Sequence, residues 1–563
     1  MSVSERDVAD LSGGDAEPDA RPPQSRPTQL QRWAGPGLFT AACIVAFCCY
    51  VRMSSTLSAN SDWAANALQA WDMLHGNLLL HGWRLSQVPY YTTELPVYAL
   101  IEFVHGLNAD VVHVAAALTY TMVTALAALL AKERATGAEA WVRMLIASGL
   151  MLAPQLGIGT QVLLLPDHVG STAPVLVAWL LLDRFGRRRW VPAAVGLLLA
   201  WALVADAIVV YIGIVPLAVV GLIRAYQEIV QEGRRPSQAW YELSLAGAAL
   251  AALVVGLKVP ALIHALGGYS VRPALQGLAP ISEMTTRVWL TAAGLLVLFG
   301  GDFFGRRLGL QTGLVLLHLV GVAVAAWAVW AAAKRLLRRS DLTAELLVVG
   351  TLVSVGGYLF ARQALGIGYS DEMSAALPFA AVLAGRLLAG RLITARLVPV
   401  AAAVLLGYLI TLGGNALARP APPEDPRLAV FLARHHLRYG LSGYWQADAL
   451  TLASGNRVQI RALRVNHGSR SAQGSVSASH WESDASWYNP RLHDANFVLL
   501  FAGKPGFSGE AGLAPFDPAG QIQATFGRPE HAYHLGRYTV LVWRQNLLRR
   551  LSAAPEGLRK RSG

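Results

Sequence analysis

The sequence predicts a mainly α-helical fold, with a polytopic membrane domain of about 11 spans followed by a small soluble α/β domain. The first observation is composition. Hydrophobic residues make up 54% of the chain and charged residues only 15%, whereas soluble globular proteins carry about 25% charged residues. The second is that long apolar runs alternate with short arginine-rich segments, a pattern typical of membrane helices and their loops. The third is a change to short strand-like runs after a proline-rich segment at 419–426.

The predicted elements begin with a polar N-terminal segment, 1–34, rich in Pro, Asp and Arg. Such a segment cannot bury enough apolar surface to fold, so we expect it to be disordered and cytoplasmic. Residues 35–416 form the predicted membrane domain. Its predicted spans are 35–53, 109–131, 142–157, 171–183, 190–204, 207–223, 242–263, 312–333, 342–362, 375–391 and 397–416.

Some of these runs depart from the pattern of a full crossing. Several are shorter than the roughly 20 residues that a crossing needs. The apolar stretch 190–223 is divided into two spans because Asp206 would be costly in lipid. The weaker apolar run 288–301 is predicted to be re-entrant or interfacial.

Basic residues predict the orientation of the chain. With the N-terminus inside, the basic loop clusters fall on one side of the membrane, as the positive-inside rule requires. These clusters are Lys132 and Arg134; Arg184, Arg187, Arg188 and Arg189; Arg224, Arg234 and Arg235; Lys334, Arg335, Arg338 and Arg339; and Arg386, Arg391 and Arg396. We therefore expect a multi-pass protein of the plasma membrane with a cytoplasmic N-terminus and an extracytoplasmic C-terminal domain. The net charge of +12 reflects these loops and does not indicate a nucleic-acid partner.

The soluble domain is predicted at 427–563, after a linker at 417–426. Its sequence predicts a helix at 427–437 and strands at 457–465, 496–501 and 538–544, separated by turn residues. About 130 residues are enough for a core of its own. The three cysteines, Cys43, Cys48 and Cys49, all lie in the first span. The domain therefore has no intrachain disulfide, and the chain has no CxxC metal pattern.

The first external loop, 54–108, carries the most informative carboxylate. Apolar residues at 64, 67, 68, 71 and 74 form a helical stripe, and Asp62 lies where that helix begins. One interpretation is that Asp62 only caps the helix. The other is that it faces a cavity at the membrane surface, as a general base or a metal ligand.

An opening span, an Asp at the start of an amphipathic external helix and a Gly turn resemble the GT-C superfamily of integral membrane glycosyltransferases. That class uses polyprenyl-phosphate sugar donors and includes protein mannosyltransferases and oligosaccharyltransferase catalytic subunits. The resemblance covers the layout of residues 35–416 and implies that Asp62 is the key acidic residue. The family often has a paired Asp-Glu there, whereas this chain has Ser61-Asp62-Trp63. The need for a divalent cation, Mg or Mn, therefore stays open.

Further acids accompany Asp62 on the predicted outer side. Glu94 is a candidate second catalytic carboxylate, or an ordinary loop acid. The adjacent Asp167 and His168 could ligate a metal or relay a proton, or simply form a turn. Asp206 lies within the membrane, where an acid indicates function. The pair Asp371-Glu372 either belongs to the site or only solvates its loop.

Cations and aromatic residues complete the candidate site. The candidates for binding the donor phosphate are Lys258, Arg272, Arg287 and Arg362, of which Arg362 best matches the GT-C position. Snorkelling or interfacial anchoring would explain Lys258 and Arg362 equally well. In the C-terminal domain the aromatic residues, among them Tyr444, Trp481, Trp487 and Tyr488, either stack on sugar rings or form the core.

The sequence therefore predicts a membrane glycosyltransferase that moves a sugar from a polyprenyl-phosphate donor to a cell-envelope acceptor, with Asp62 as general base. The acceptor could be a glycan, a lipid or a protein. A transporter or lipid flippase and a non-enzymatic cell-envelope assembly protein are the alternatives. The chain has no Walker motif and no GxGxxG after a strand, which disfavours an enzyme that uses ATP or a nucleotide sugar.

Overall fold

The computed structural model describes residues 29–165, 167–233, 235–273, 277–305, 307, 309–338, 341–362, 366–422, 426–466, 475–502 and 516–551. Most of the predicted disordered segment and part of the predicted linker lie outside these residues. The chain divides into two units, Met1–Val45 and Ala46–Gly563. In the first unit the described residues, 29–45, are helical.

The region up to residue 416 is built from helices. They are α1 (Gln29–Ser54), α2 (Ser61–Leu74), α3 (Glu94–His105), α4 (Asp110–Lys132), α5 (Gly137–Met151), α6 (Ile158–Leu163), α7 (Val169–Phe185), α8 (Val191–Ala205), α9 (Val215–Tyr226), α10 (Trp240–Ala265), α11 (Met284–Leu298), α12 (Leu310–Ala333), α13 (Leu342–Phe360), α14 (Ala376–Thr394) and α15 (Val398–Ala416). Helix α9 is extended at both ends by π-helical turns, Val210–Ile214 and Gln227–Gln231.

Within the described ranges, eight helices are long and apolar enough to cross a membrane, which confirms a multi-pass membrane protein. They are Gly35–Ser54, Asp110–Lys132, Val210–Gln231, Trp240–Ala265, Leu310–Ala333, Leu342–Phe360, Ala376–Thr394 and Val398–Ala416. The other three predicted spans coincide with α5, α7 and α8, which have only 15, 17 and 15 residues. The predicted number of about eleven full crossings is therefore not confirmed.

Local chemistry explains where two of the short helices end. Helix α5 ends at Met151, shortly before Pro154, because a proline disfavours helical backbone in the residue before it. Helix α8 ends at Ala205, and the following Asp206 is extended. The run predicted to be re-entrant or interfacial coincides with α11, which has 15 residues.

The first external loop contains the two amphipathic helices α2 and α3, with strand β1 (Trp83–Leu85) between them. Asn60, not Asp62, caps α2, because its side-chain oxygen accepts a hydrogen bond from the Trp63 backbone N–H at 3.0 Å. The apolar faces of both helices share a core with the start of α4, in which Trp63, Leu95 and Val112 are buried.

The C-terminal region contains helices and strands around a six-stranded mixed sheet with the order β5-β4-β3-β7-β9-β8. The strands are β3 (Tyr439–Gly443), β4 (Gln459–Val465), β5 (Val476–Ala478), β7 (Phe497–Phe501), β8 (His531–Leu535) and β9 (Tyr538–Val542). The helices are α16 (Pro426–Arg434), α17 (Tyr444–Ala453), α18 (Ala519–Phe526) and α19 (Leu548–Leu551). Strand β3 pairs in parallel with β4 and β7, and the other pairs are antiparallel.

A second, three-stranded sheet links the C-terminal region to the first external loop. Its order is β2-β1-β6, where β2 is Ser270–Val271 and β6 is Ser483–Asp484. In the antiparallel pair β1–β6, Trp83 lies opposite Asp484. Helix α17 also packs directly on α2. The residue Asp62 near the start of α2 therefore lies where the membrane part and the C-terminal region meet.

Candidate functional site

Acidic side chains gather where α2, the start of α7, the end of α8 and the segment between α13 and α14 approach the C-terminal region. We call this group the acidic cluster and define it as Asp62, Asp167, Asp206, Asp371, Glu372 and Glu482. Close to it lie His168, Tyr90 and Tyr444. Burial raises the pKa of several of these carboxyls, and their mutual repulsion raises it further.

Asp62 is half-buried, and two aromatic side chains of the C-terminal region bind its carboxyl. The Tyr444 hydroxyl bonds to Asp62 Oδ1, and the Trp481 indole also bonds to this carboxyl. Burial raises the pKa of Asp62, and these hydrogen bonds counteract the rise. Next to it, the Ser61 hydroxyl donates to the Tyr444 carbonyl at 2.5 Å, which joins the start of α2 to the start of α17.

Asp167 and His168, which are adjacent in sequence, bind different partners. The Trp63 indole N–H donates to Asp167 Oδ2 at 3.1 Å. Burial, followed by the charges of Asp371 and Asp62, raises the pKa of Asp167 to about 7. His168 Nδ1 instead lies 2.8 Å from Asp206 Oδ2. The two side chains thus bond to different partners, and a joint role in binding a metal or relaying a proton stays a prediction.

The His168–Asp206 pair is an ion pair at the end of the membrane helices. Burial disfavours the charged imidazole, but the adjacent Asp206 carboxylate outweighs burial and raises the pKa of His168 well above its usual value. Asp206 is 1% exposed, and its Oδ1 accepts the Ile208 backbone N–H at 3.0 Å. The acid that the sequence places in lipid is thus neutralised by a cation and held by the turn between α8 and α9.

A divalent cation does not fit the described side chains without rearrangement. Across the described ranges, no three His, Cys, Asp or Glu side chains are close enough to hold one metal ion. His168, the only nitrogen donor proposed from the sequence, is already bonded to Asp206. We therefore derive no chemical step through a metal.

Glu94, the first residue of α3, is 1% exposed and lies behind the acidic cluster. The Thr93 hydroxyl bonds to its Oε2. Its Oε1 lies so close to Gly170 that a Cβ atom added to this glycine would be only 2.5 Å from it. Burial raises its pKa to about 8, so Glu94 is largely protonated at neutral pH. The charges of Asp206, His168 and Asp167 act on its carboxyl, so Glu94 lies next to the acidic cluster, and its catalytic role stays a prediction.

This burial predicts a pH-dependent effect of Glu94→Gln on stability. The pKa of Glu94 rises from about 4.3 in the unfolded chain to about 8 when folded. Ionisation therefore weakens the fold as the pH rises through this interval, by about 1.4 kcal/mol for each pKa unit between the two values. We therefore expect the difference in melting temperature between Glu94→Gln and the wild type, measured in detergent, to shift in favour of the variant as the pH rises from 5 to 8. Glu139→Gln, at a carboxyl that is not buried, is the control, and an equal pH trend in both variants would contradict the prediction.

Asp371 and Glu372 belong to the cluster, although their sequence context also fits a solvated loop. They lie in a 3₁₀ segment, Ile367–Met373, and Asp371 Oδ1 accepts the Glu372 backbone N–H at 3.0 Å. Burial raises the pKa of Glu372 to about 7, while the positive charge of His168 lowers it. Both carboxyls are half-buried.

The four candidate cations occupy different positions. Arg272 is exposed, and its guanidinium lies 5.1 Å from the ring centre of Trp481, which binds Asp62. Arg287 is 3% exposed and donates to Glu283 at 3.0 Å and to the Arg362 carbonyl at 3.1 Å.

The remaining two cations have weaker links to the cluster. Arg362 has an exposed side chain, and its backbone N–H donates to the Gly277 carbonyl at 3.2 Å. Lys258 is exposed on α10, and among the described residues no hydrogen bond or ion pair joins it to the cluster. Arg272 is thus the candidate with the most direct structural connection to Asp62.

Three residues around the site adopt backbone conformations that residues other than glycine normally avoid. Tyr90, His168 and Glu482 have φ angles of +51°, +56° and +46°. A non-glycine residue with positive φ is uncommon, and such residues concentrate at functional sites. The Tyr90 ring also meets the His168 ring edge-on, with centroids 5.9 Å apart.

The sequence indicates Tyr444 only as an aromatic residue for sugar stacking or for the core, and it does not point to Glu482; neither is linked to Asp62 by sequence. Tyr444 lies 382 residues further along the chain, and Glu482 is bonded to Tyr444. Trp481 had been singled out only as a residue that stacks on sugars or packs in the core. No periodicity or spacing in the sequence connects these positions with the first external loop, because strand pairing and helix docking bring them together.

Comparisons with known proteins add little to this geometry. No family model matches the chain, and no curated protein matches it. Among solved structures, the chain is similar to the oligosaccharyltransferase of Archaeoglobus fulgidus, determined in complex with Zn and sulfate. The TM-score is 0.43 and the identity 13%, over 81% of this chain and 67% of the other. A likeness at this level does not assign the chain to a family.

Proposed function

We propose that the protein is an inverting membrane glycosyltransferase that transfers a sugar from a polyprenyl-phosphate donor to a hydroxyl-bearing acceptor. The observation that carries this proposal is the half-buried carboxyl of Asp62, which is held by Tyr444 and Trp481 beside a group of membrane helix ends. A lipid-linked donor requires its reacting carbon to meet the acceptor at the lipid–water boundary. The ends of the membrane helices provide that location.

Asp62 acts as the general base in this reaction. The acceptor oxygen forms a new bond to the anomeric carbon while the bond from that carbon to the phosphate oxygen breaks. The acceptor proton passes to Asp62, and the polyprenyl phosphate leaves with the electron pair of the broken bond. The remaining carboxyls, above all Asp167 and Asp371, repel a second negative charge. The leaving phosphate must therefore approach from a side that carries cations.

Arg272 is the cation best placed for that phosphate; the charge of Arg287 acts on Glu372, and its guanidinium bonds to the Arg362 carbonyl. His168, Asp206 and Glu94 hold the helix ends in place and do not contact the substrate. The proposed acceptor is a cell-envelope glycan, lipid or protein on the outer face of the plasma membrane, with the N-terminus cytoplasmic. A divalent cation, Mg or Mn, would add charge stabilisation, but no step proposed here requires it.

Arg272→Gln tests the phosphate assignment. A hydrogen bond to a charged group contributes about 1.5–3 kcal/mol, so we expect the KM for the donor to rise at least about tenfold, with a smaller change in kcat. Lys258→Gln is the control, because Lys258 is also exposed and no hydrogen bond or ion pair joins it to the cluster within the part of the chain that the structure describes. Equal effects of the two substitutions would remove Arg272 from the donor site.

The decisive experiment is a transfer assay on the purified full chain in proteoliposomes, with radiolabelled polyprenyl-phosphate sugars and an envelope extract as acceptor. A labelled acceptor supports the glycosyltransferase. Transbilayer movement of the labelled lipid without covalent transfer would favour a flippase. If neither sugar transfer nor lipid movement is detected, the result would favour a non-enzymatic assembly protein. A parallel reaction with a chelator tests whether Mg or Mn is needed.

A further inference from the structure

One phenol lies between two carboxyl groups at the boundary between the first external loop and the C-terminal region. The Tyr444 hydroxyl bonds to Asp62 Oδ1 and also lies 2.6 Å from Glu482 Oε2. Asp62 comes from α2, Tyr444 begins α17, and Glu482 directly precedes β6. The two carboxyls also contact each other, and the Ser86 hydroxyl, which donates to the Val88 carbonyl, lies within hydrogen-bond distance of Glu482.

The number of protons limits how these three groups can be charged. A tyrosine hydroxyl has one proton, so it can donate to only one of the two carboxyls. An ionised carboxylate can only accept. The second contact is therefore a hydrogen bond only if the other carboxyl carries a proton and donates it to the Tyr444 oxygen. One of the two acids is neutral and the other is charged.

The surroundings decide which carboxyl is charged. Asp62 also binds the Trp481 indole, whose N–H can only donate and therefore favours a carboxylate. Glu482 is 4% exposed, whereas Asp62 is half-buried. Burial and then the charge of Asp62 raise the pKa of Glu482 well above its usual value. The proton belongs to Glu482 and the negative charge to Asp62.

We propose that Glu482 and Tyr444 form a neutral hydrogen-bond chain, Glu482 to Tyr444 to Asp62, that keeps Asp62 ionised and orients it as the base. This inference rests on the proposed function, because it assigns positioning residues to that reaction. Neither Glu482 nor Tyr444 exchanges a proton with the substrate. When Asp62 accepts the proton of the acceptor, all three groups become neutral, and Asp62 returns that proton to water after the product leaves.

A consequence is that the site is complete only when the C-terminal region is docked. The contacts that hold it there include the Ser61–Tyr444 hydrogen bond and the pairing of Trp83 with Asp484. The base on the membrane side thus depends on a proton donor that reaches it from a separate part of the chain.

The test compares Glu482→Gln with Glu482→Ala and Tyr444→Phe in the full-length protein. A glutamine amide can donate to the Tyr444 oxygen as a protonated carboxyl does, so Glu482→Gln should keep transfer within about threefold of the wild type. Glu482→Ala should lose roughly tenfold and Tyr444→Phe roughly 100-fold at neutral pH. Tyr439→Phe, which removes a phenol bonded to the Trp487 carbonyl, is the control and should retain activity.

The pH profile separates positioning from a structural role. Asp62 is faced by Asp167 from the membrane side and by Tyr444, Asp448 and Glu482 from the C-terminal region. Losing a hydrogen-bond donor raises the pKa of a carboxylate. The acidic limb of the pH profile of the transfer rate should therefore move to higher pH in Tyr444→Phe and in Glu482→Ala. It should stay in place in Glu482→Gln. A loss of activity with an unmoved limb would overturn the proposal, as would a Glu482→Gln variant as inactive as Asp62→Asn.

Infrared spectroscopy tests the chain without any transfer assay. Because other buried acids such as Glu94 are also protonated, the difference spectrum between the wild type and Glu482→Gln at neutral pH should show the loss of one protonated-carboxyl C=O component, and that component should shift in Tyr444→Phe. If this component behaves as expected but no transfer is detected, the proposed function fails while the hydrogen-bond chain stands. If Glu482→Gln leaves the protonated-carboxyl region unchanged, the chain is overturned whatever the activity.

Discussion

Asp62→Asn is expected to lower sugar transfer by about 100- to 10,000-fold, the range typical for loss of a general base. Asparagine has nearly the same shape and can still accept hydrogen bonds from Tyr444 and Trp481. It removes a negative charge from a cluster of carboxyls whose mutual repulsion raises the pKa of Asp167. We therefore expect the folded protein to remain, with a melting temperature equal to or above that of the wild type. The initial rate of label transfer in proteoliposomes measures the effect.

The matched control for this variant is Asp110→Asn. Asp110 also lies in the first turn of a helix, α4, on the same side of the membrane part, but its side chain is exposed. Its replacement should leave the transfer rate within about twofold of the wild type, because surface substitutions usually have small effects. If Asp62→Asn transferred sugar at the wild-type rate, Asp62 would not be the base and the proposed mechanism would be lost.

Arg386→Ala is expected to destabilise the fold by about 3 kcal/mol, because it removes a buried guanidinium, leaves the buried Leu130 carbonyl without its donor and leaves two half-buried carboxylates without their cation. The Arg386 guanidinium donates to Asp183 and to Asp341, each at 2.7 Å, and to the Leu130 carbonyl at 2.7 Å. These contacts join α4, α7, α13 and α14 at the end of the bundle opposite Asp62. The effect should appear as a large fall in melting temperature in detergent, and the donor KM of the remaining folded protein should be unchanged.

Arg391→Ala provides the comparison on the same helix. Arg391 is exposed, and its guanidinium lies 4.9 Å from the centre of the Trp327 ring. An exposed cation–π contact contributes about 0.5–1 kcal/mol, so this variant should melt close to the wild type. Similar losses in the two variants would mean that the Arg386 network contributes no more than a surface contact.

The sequence by itself determined the membrane architecture. Lipid cannot bond with exposed backbone groups, so a sufficiently long apolar run has to be a helix whatever surrounds it. Runs such as 242–263 and 312–333 therefore correspond to α10 and α12. The number of full crossings was less certain, because Pro154 and Asp206 shorten helices that hydropathy alone joins or extends. The position of Asp62 at the start of an external helix could also be predicted from nearby residues alone, since the apolar stripe of α2 is visible in the sequence.

Only the tertiary structure decided which groups surround Asp62. The pairing of β1 with β6 and the docking of α17 on α2 bring Tyr444, Trp481 and Glu482 to a carboxyl almost 400 residues away. The same folding gives the neighbours Asp167 and His168 different hydrogen-bond partners, the Trp63 indole for Asp167 and the Asp206 carboxylate for the imidazole. Side-chain partners, and with them the charge of each acid, depend on distances and burial in space. The spacing of residues along the chain does not determine these distances or this burial. The preference of an apolar run for lipid, in contrast, is a property of the run itself.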